Sequence, residues 1–187
     1  MKIKEVGLTK KKIRSKILLV LKKQKEEDRR QKSRFIKEKL FKTKEFKSAK
    51  RIMFYISFDG EVDTEEMIDE ARKLGKIVAV PVCKGRGMIR PCLFLKDTRL
   101  KRGPYGIPEP AIKRFIDSKS LNLVIVPAVA FTREGKRLGR GKGYYDNFLG
   151  KLKKYHIPTI GLAFDFQILP YLPTTKQDVS VERVIYA

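Results

Sequence analysis

The sequence predicts an α/β domain in which a mostly parallel sheet is flanked by helices and preceded by a helical pair. Three observations carry this. In the N-terminal quarter, apolar residues recur at helical spacing, whereas from residue 51 onward short β-branched runs take over. Those runs alternate with helical patterns, as expected of strands joined by crossover helices. The 187 residues, 42% of them apolar, suffice for one packed domain spanning 1–187.

Taken in order, Ile13, Ile17, Val20 and Leu21 share one face of a helix running from Leu8 to about Asp28, with Thr9 as its N-cap. A second helix over 28–43 buries Ile36 and Leu40. Residues 51–57 read as a buried strand. Phe58 to Glu61 is a turn, and Asp63 with Glu66 forms a capping-box pattern for a helix over 64–74, stopped by Gly75. Residues 77–80 form a strand ended by Pro81, and 88–95 hold a shorter one. The glycines and prolines of 98–110 exclude regular structure there. An apolar strand over 123–126 closes at Pro127, and 132–143 is a glycine-rich basic loop. Tyr145, Phe148, Leu149 and Leu152 mark a helix, and 159–163 and 181–186 supply the last strands. The result is a Rossmann-like three-layer arrangement.

The formal charge is +23, and residues 1–51 carry 21 Lys and Arg against 6 Asp and Glu. Such a field attracts polyanions: nucleic acid, an acidic membrane or small phosphorylated ligands. A basic nucleic-acid-binding protein is therefore one reading, although no RNP-type or recognition-helix pattern accompanies the charge. The same charge suits solvation of a protein built for high temperature. No run of about 20 apolar residues occurs, so no membrane span is expected, and the lysine-rich start does not read as a secretory signal. Cys83 and Cys92 lie in no metal-binding or redox spacing. They read as buried thiols of a soluble, cytoplasmic protein. His156, the single histidine, reads as a structural or surface residue.

The segment with chemical content is Gly135-Lys-Arg-Leu-Gly-Arg-Gly-Lys-Gly-Tyr-Tyr-Asp146. Glycines at 139, 141 and 143 let backbone N–H groups approach an anion. The helix that follows offers unpaired N–H groups and a partial positive charge, and Arg140 and Lys142 add full ones. It is not a P-loop: Gly135 is one residue too far from Gly141, and Gly143 stands where Ser or Thr belongs. Nor is it the dinucleotide fingerprint, because Tyr144 takes the place of the third glycine. From composition alone it is either a different phosphate-binding device or a flexible basic loop.

The whole string resembles the signature of 5-formyltetrahydrofolate cyclo-ligases, also called 5,10-methenyltetrahydrofolate synthetases. Other segments resemble the same family: Lys10-x-x-x-Arg14, the strand from Arg51 to Ile56, Glu61-Val-Asp-Thr-Glu-Glu, the proline-rich Tyr105-Gly-Ile-Pro-Glu-Pro110, and Asp178. Two positions depart from the family pattern, Ala128 after Pro127 and Thr132 after Phe131.

The resemblance implies conversion of 5-formyltetrahydrofolate to 5,10-methenyltetrahydrofolate with consumption of ATP and a need for Mg²⁺. It implies that Arg140 and Lys142 act on the transferring phosphoryl group, with Tyr144 near the folate. The nucleotide would be held by Lys10, Arg14 and Arg137, by the backbone N–H groups of Leu138, Gly139, Arg140, Gly141, Lys142 and Gly143, and by Tyr144 and Tyr145, the latter pointed inward by its spacing with Leu149. The folate would meet Ile56, Glu61 and Tyr105 together with Arg140, Gly141, Lys142, Gly143 and Tyr144, with a cationic rim attracting its glutamate carboxylates, and Asp146 and Asp178 would hold the metal. A monomer is expected. A phosphotransferase for another small acid would keep the loop and lose the folate.

Overall fold

The structure is a computed structural model and describes residues 9–85 and 87–187. Three helices come first: α1 (Lys10–Lys23), α2 (Glu26–Lys42) and the short α3 (Lys44–Ser48). Thr9 caps α1 as expected, its hydroxyl accepting the Lys12 N–H at 3.4 Å. The expected start at Leu8 lies outside the described residues. α1 ends before Asp28 because Glu26, Glu27 and Asp28 favour the positive end of a new helix. Gln24 fills the break, donating to the carbonyls of Leu21 (3.0 Å) and Gly60 (3.1 Å). Ile13, Ile17 and Leu21 are buried, but Val20, placed on that face by its spacing, is exposed. α3 has no counterpart in the sequence pattern. Thr43 caps it by accepting the Phe46 N–H at 3.2 Å, which seats Phe46 in the core.

The strands are β1 (Arg51–Met53), β2 (Ile77–Cys83), β3 (Ile89–Leu93), β4 (Leu100–Arg102), β5 (Pro108–Pro110), β6 (Leu123–Val126), β7 (Ala130–Phe131), β8 (Arg137–Leu138), β9 (Thr159–Ala163) and β10 (Arg183–Tyr186), with α4 (Glu65–Lys73) after β1 and α5 (Tyr144–Leu152) after β8. Six of them form one sheet in the order β10-β9-β6-β1-β2-β3, parallel except for the antiparallel edge strand β3. Side chains alternate between its faces. Ile52, Val78, Leu123, Ile125 and Leu162 pack with the apolar stripes of α1, α2 and α4. Met53, Ala79, Val124, Val126 and Ala163 pack with Phe148, Leu149 and Leu152 of α5. The predicted three layers, with a mostly parallel sheet between helices, are therefore present.

Several local expectations need correction. β1 stops at Met53; the Phe54 N–H still reaches the Ala79 carbonyl at 2.9 Å, and the chain then leaves the ladder. The capping box before α4 does not form. Thr64 is the N-cap, and its hydroxyl is spent on the Tyr55 carbonyl (2.7 Å) and the Ser57 N–H (3.2 Å). Asp63 accepts the Glu65 N–H at 3.0 Å, while Glu66 pairs with Lys37. Pro81 does not end β2. The Ala79 carbonyl points toward β1, so two residues on the missing N–H of Pro81 faces the same side, where β1 has already ended. The turn-rich 98–110 contains the hairpin β4–β5, and the basic loop 132–143 begins inside the hairpin β7–β8. Both escape the pattern because strands of two or three residues carry no readable alternation.

The connectivity sets the site. β1 has β2 on one side and β6 on the other, so the winding of the sheet reverses between β1 and β6. In doubly wound sheets ligands bind outside the carboxyl ends of the strands at such a reversal.

Candidate active site

A cleft of about 1260 Å³ opens at this reversal. Tyr55 and Ile56 enter it after β1, Cys83 from the end of β2, and Pro127 and Ala128 after β6. The 139–143 loop and the first turn of α5 form the opposite wall.

That loop is shaped by glycine where the backbone requires it. Gly141 and Gly143 have φ of +95° and +70°, in the left-handed region. Gly143 is the N-cap of α5, whose first N–H groups lack helical partners. A side chain at Gly141 would crowd the Arg14 guanidinium, its Cβ falling 3.4 Å from Cζ. Arg14 itself donates from Nε to the Gly139 carbonyl at 2.8 Å, tying α1 to the loop.

Beneath the loop, Arg137 donates to Asp146 Oδ1 at 2.6 Å, and the same oxygen accepts the Val179 N–H at 3.0 Å. The Arg137 side chain is only 2% exposed and its Nε has no partner. Burial pushes its pKa down, and the charge of Asp146 works against that shift. Asp178 Oδ2 accepts from the Lys10 ammonium and from the Thr175 N–H at 2.6 Å. Burial alone would raise the Asp178 pKa, but these donors outweigh it and hold the carboxyl below the usual range. Among the described residues no cluster of three or more His, Cys, Asp or Glu is positioned to hold a metal. The two carboxylates expected at the metal are thus each engaged by a cation of the protein, through one oxygen.

Across the cleft, Arg140 reaches the Phe58–Glu61 turn. Its Nε and Nη2 lie 3.2 and 3.1 Å from Glu61 Oε1, and its Nη1 lies 3.1 Å from Asp59 Oδ2. The guanidinium stands 5.5 Å from the centre of the Phe58 ring. Glu61 Oε2 accepts the Phe58 N–H at 3.2 Å. Burial raises the Glu61 pKa, opposed by Arg140. Tyr145 is turned inward as its spacing implies, and its buried hydroxyl has no partner. Burial and the nearby Glu61 charge raise its pKa.

The cleft therefore collects Lys10, Arg14, Ile56 and Glu61 with the whole of 137–146 and Asp178. Tyr105 lies in the 3₁₀ turn Pro104–Gly106, and its side chain lies outside the described residues. Lys142 lines the cleft, as does Tyr144. Sequence reasoning misses three participants. Phe58 and Asp59 read as plain turn residues, with no signal that a distant arginine would bind them. Glu109 belongs to the quoted proline-rich string but carries no local mark of burial. It is only 3% exposed, and its Oε1 accepts the Cys83 N–H at 2.8 Å.

The profile of the 5-formyltetrahydrofolate cyclo-ligase family matches residues 6–187. The chain belongs to the 5-formyltetrahydrofolate cyclo-ligase family. It is 30% identical to the 5-formyltetrahydrofolate cyclo-ligase of Mus musculus over 174 residues, covering 86% of this chain and 84% of that one. A Caenorhabditis elegans protein named "Probable 5-formyltetrahydrofolate cyclo-ligase" is 36% identical over 175 residues, covering 87% of this chain and 84% of its own. The NMR structure of the Aquifex aeolicus 5,10-methenyltetrahydrofolate synthetase superposes with a TM-score of 0.83 at 32% identity, covering 96% of this cyclo-ligase and 90% of that chain. This cyclo-ligase is accordingly a ligase of folate one-carbon metabolism. The nucleic-acid-binding and other phosphotransferase readings gain no support from these matches. Among the described residues no helix is long and apolar enough to cross a membrane.

Proposed function

We propose that residues 1–187 act as one domain that converts 5-formyltetrahydrofolate to 5,10-methenyltetrahydrofolate, with ATP as co-substrate and ADP and phosphate released. The observation that carries this reading is the contact of Arg140 with Glu61 at 3.1 Å. It puts a cation of the glycine-rich loop beside a carboxylate able to accept the N–H groups of a pterin ring. The formyl group, borne on that ring, then lies within reach of a phosphoryl group held by the loop.

The chemistry follows from what such a site can hold. The formyl oxygen attacks the γ-phosphorus and the bond to ADP breaks. N10 of the folate then adds its lone pair to the formyl carbon and loses its proton, and the C–O bond breaks with phosphate taking the electron pair. Positioning and charge neutralisation dominate such a transfer. Arg140 and Lys142 neutralise the moving phosphoryl group, and the N–H groups at the start of α5 cradle the triphosphate. Arg14 and Lys10 approach it from α1, while Ile56 and Tyr144 flank the folate. Lys151, Lys153 and Lys176 line the same cleft and would attract the folate's glutamate carboxylates.

The residues present also suit Mg²⁺. Asp146 and Asp178 would hold it, each with an oxygen left over or exchangeable. The Lys10 ammonium on Asp178 marks a place where this fold already accepts a cation. When bound, the metal would supply charge neutralisation for the phosphate groups. Both thiols are unpaired, which suits a reducing cytoplasm, and a monomer is the form we assign to the reading.

The test is to mix the protein with Mg-ATP and 5-formyltetrahydrofolate and follow the methenyl product by its near-ultraviolet absorbance. Nucleotide binding without product would overturn the folate assignment.

A further inference from the structure

Arg140 is committed to the folate side of the cleft. Its Nε and Nη2 edge is spent on Glu61 Oε1 and its Nη1 on Asp59 Oδ2. Asp59 is firmly mounted for this task. It is a non-glycine residue in the left-handed region, with φ of +54°. It is followed by Gly60 at φ +81°, where a Cβ would lie 2.3 Å from the Leu21 carbonyl oxygen, so the turn rests directly on α1. Gln24 donates to the Gly60 carbonyl, and Lys22 stands 3.6 Å from the other oxygen of Asp59. Two carboxylates on one braced turn thus face one guanidinium.

We propose that Asp59 is a positioning residue that, together with Glu61, parks Arg140 away from the nucleotide, and so makes folate and nucleotide bind interdependently. The inference rests on the reading of Glu61 as the pterin partner and Arg140 as a phosphate partner. An oxygen offers about two lone-pair sites, and Arg140 fills both on Glu61 Oε1. Pterin N–H groups arriving there displace the Nε and Nη2 edge. Arg140 then stays tied by Nη1 to Asp59 and by one Nη2 hydrogen to the Phe58 carbonyl, 3.4 Å away, while Nε and the other Nη2 hydrogen open to a phosphate. Folate therefore raises the fraction of molecules competent for nucleotide. By linkage, nucleotide raises folate affinity by the same factor.

The experiment is calorimetric titration of a non-hydrolysable ATP analogue with Mg²⁺ into the protein, alone and saturated with 5-formyltetrahydrofolate. In the wild type, folate should lower the analogue's Kd about tenfold, within the usual range of coupling. Asn tolerates the left-handed backbone, so Asp59→Asn keeps the turn and weakens the parking. It should bind the analogue several-fold more tightly than the wild type without folate, and the folate effect should shrink to about twofold. Asp59→Gly, at home in the same backbone region, should do likewise. An undiminished folate effect in both variants, or no effect in the wild type, overturns the role of Asp59. Arg140→Gln separates the two readings. If it loses nucleotide affinity while the Asp59 variants behave as the wild type, only the parking fails. If it binds the analogue normally, the site reading fails and the parking with it.

Discussion

Arg140 and Glu61 lie 79 residues apart in sequence and meet through one carboxylate oxygen, with Nε and Nη2 at 3.2 and 3.1 Å. The pair joins the loop that would hold phosphate to the turn that would hold the pterin. Glu61 must be ionised to accept pterin N–H groups, and burial raises its pKa. Folate kcat/KM should therefore fall as the pH drops through a range above that of an ordinary glutamate. Glu61→Gln should flatten this acid limb and lower kcat/KM by roughly 10- to 100-fold, the worth of charged hydrogen bonds of about 1.5–3 kcal/mol. A pH–rate profile of the two proteins decides it. An unchanged acid limb in Glu61→Gln would assign that limb to another group.

Lys142→Ala should leave the fold intact and cut turnover by about 10²- to 10³-fold, as loss of one electrostatic partner of a transition state commonly does. Turnover under saturating ATP and folate, with far-ultraviolet dichroism as the fold control, is the measurement. An unchanged rate refutes the role given to Lys142.

Asp146 and Asp178 should separate in a stability experiment. Asp146→Asn strands the charge of Arg137, whose side chain is 2% exposed. Breaking such a buried pair costs about 3 kcal/mol or more. Asp178→Asn weakens a part-buried pair with Lys10, whose side chain keeps 28% exposure and can turn to water, so a smaller loss of about 1–2 kcal/mol is expected. Urea unfolding curves read both. Equal losses would mean that the Arg137 pair is not the buried anchor it resembles. If both carboxylates serve the metal, both variants should also require more Mg²⁺ for half-maximal turnover.

Burial, and after it the charge of Glu109, pushes the Cys83 thiol up to about 11. The thiolate is the reactive form, so alkylation by iodoacetamide should be slow at pH 8 and accelerate toward pH 11. Glu109→Gln should shift that curve to lower pH. The sign for stability follows from the same shift. The unfolded chain ionises this thiol first, near the ordinary value of 9.0, so the folded state loses stability between about pH 9 and 11. Fast alkylation of the folded protein at pH 8 would contradict the assignment.

The fold was legible wherever a single element carries its own periodicity. Ile13, Ile17 and Leu21 mark the inner face of α1, and the apolar run of β6 marks a strand buried on both sides. The glycine-rich loop was legible too, because the left-handed backbone at Gly141 and Gly143 demands glycine locally, whatever the surrounding fold. What escaped depends on residues brought together by sheet closure. Lys10 and Asp178 are 168 positions apart, and Arg140 and Asp59 are 81 apart. Nothing in the sequence around Asp59 distinguishes it from a solvated turn residue. Pro81 misled for a related reason: proline ends a strand only where its missing N–H is needed, and whether β1 extends alongside it cannot be read from β2 alone.

α1 touches both jaws of the cleft. Near its start Arg14 grips the Gly139 carbonyl, and at its end Leu21 and Gln24 carry the Phe58–Glu61 turn. From Arg14 to Gln24 a helix rises about 15 Å, so this rod works as a ruler that sets the aperture between the glycine-rich loop and the Phe58–Glu61 turn. Deleting a single residue within it would shorten the rod by only about 1.5 Å but rotate one grip against the other by about 100°. The gauge would fail by twist rather than by length.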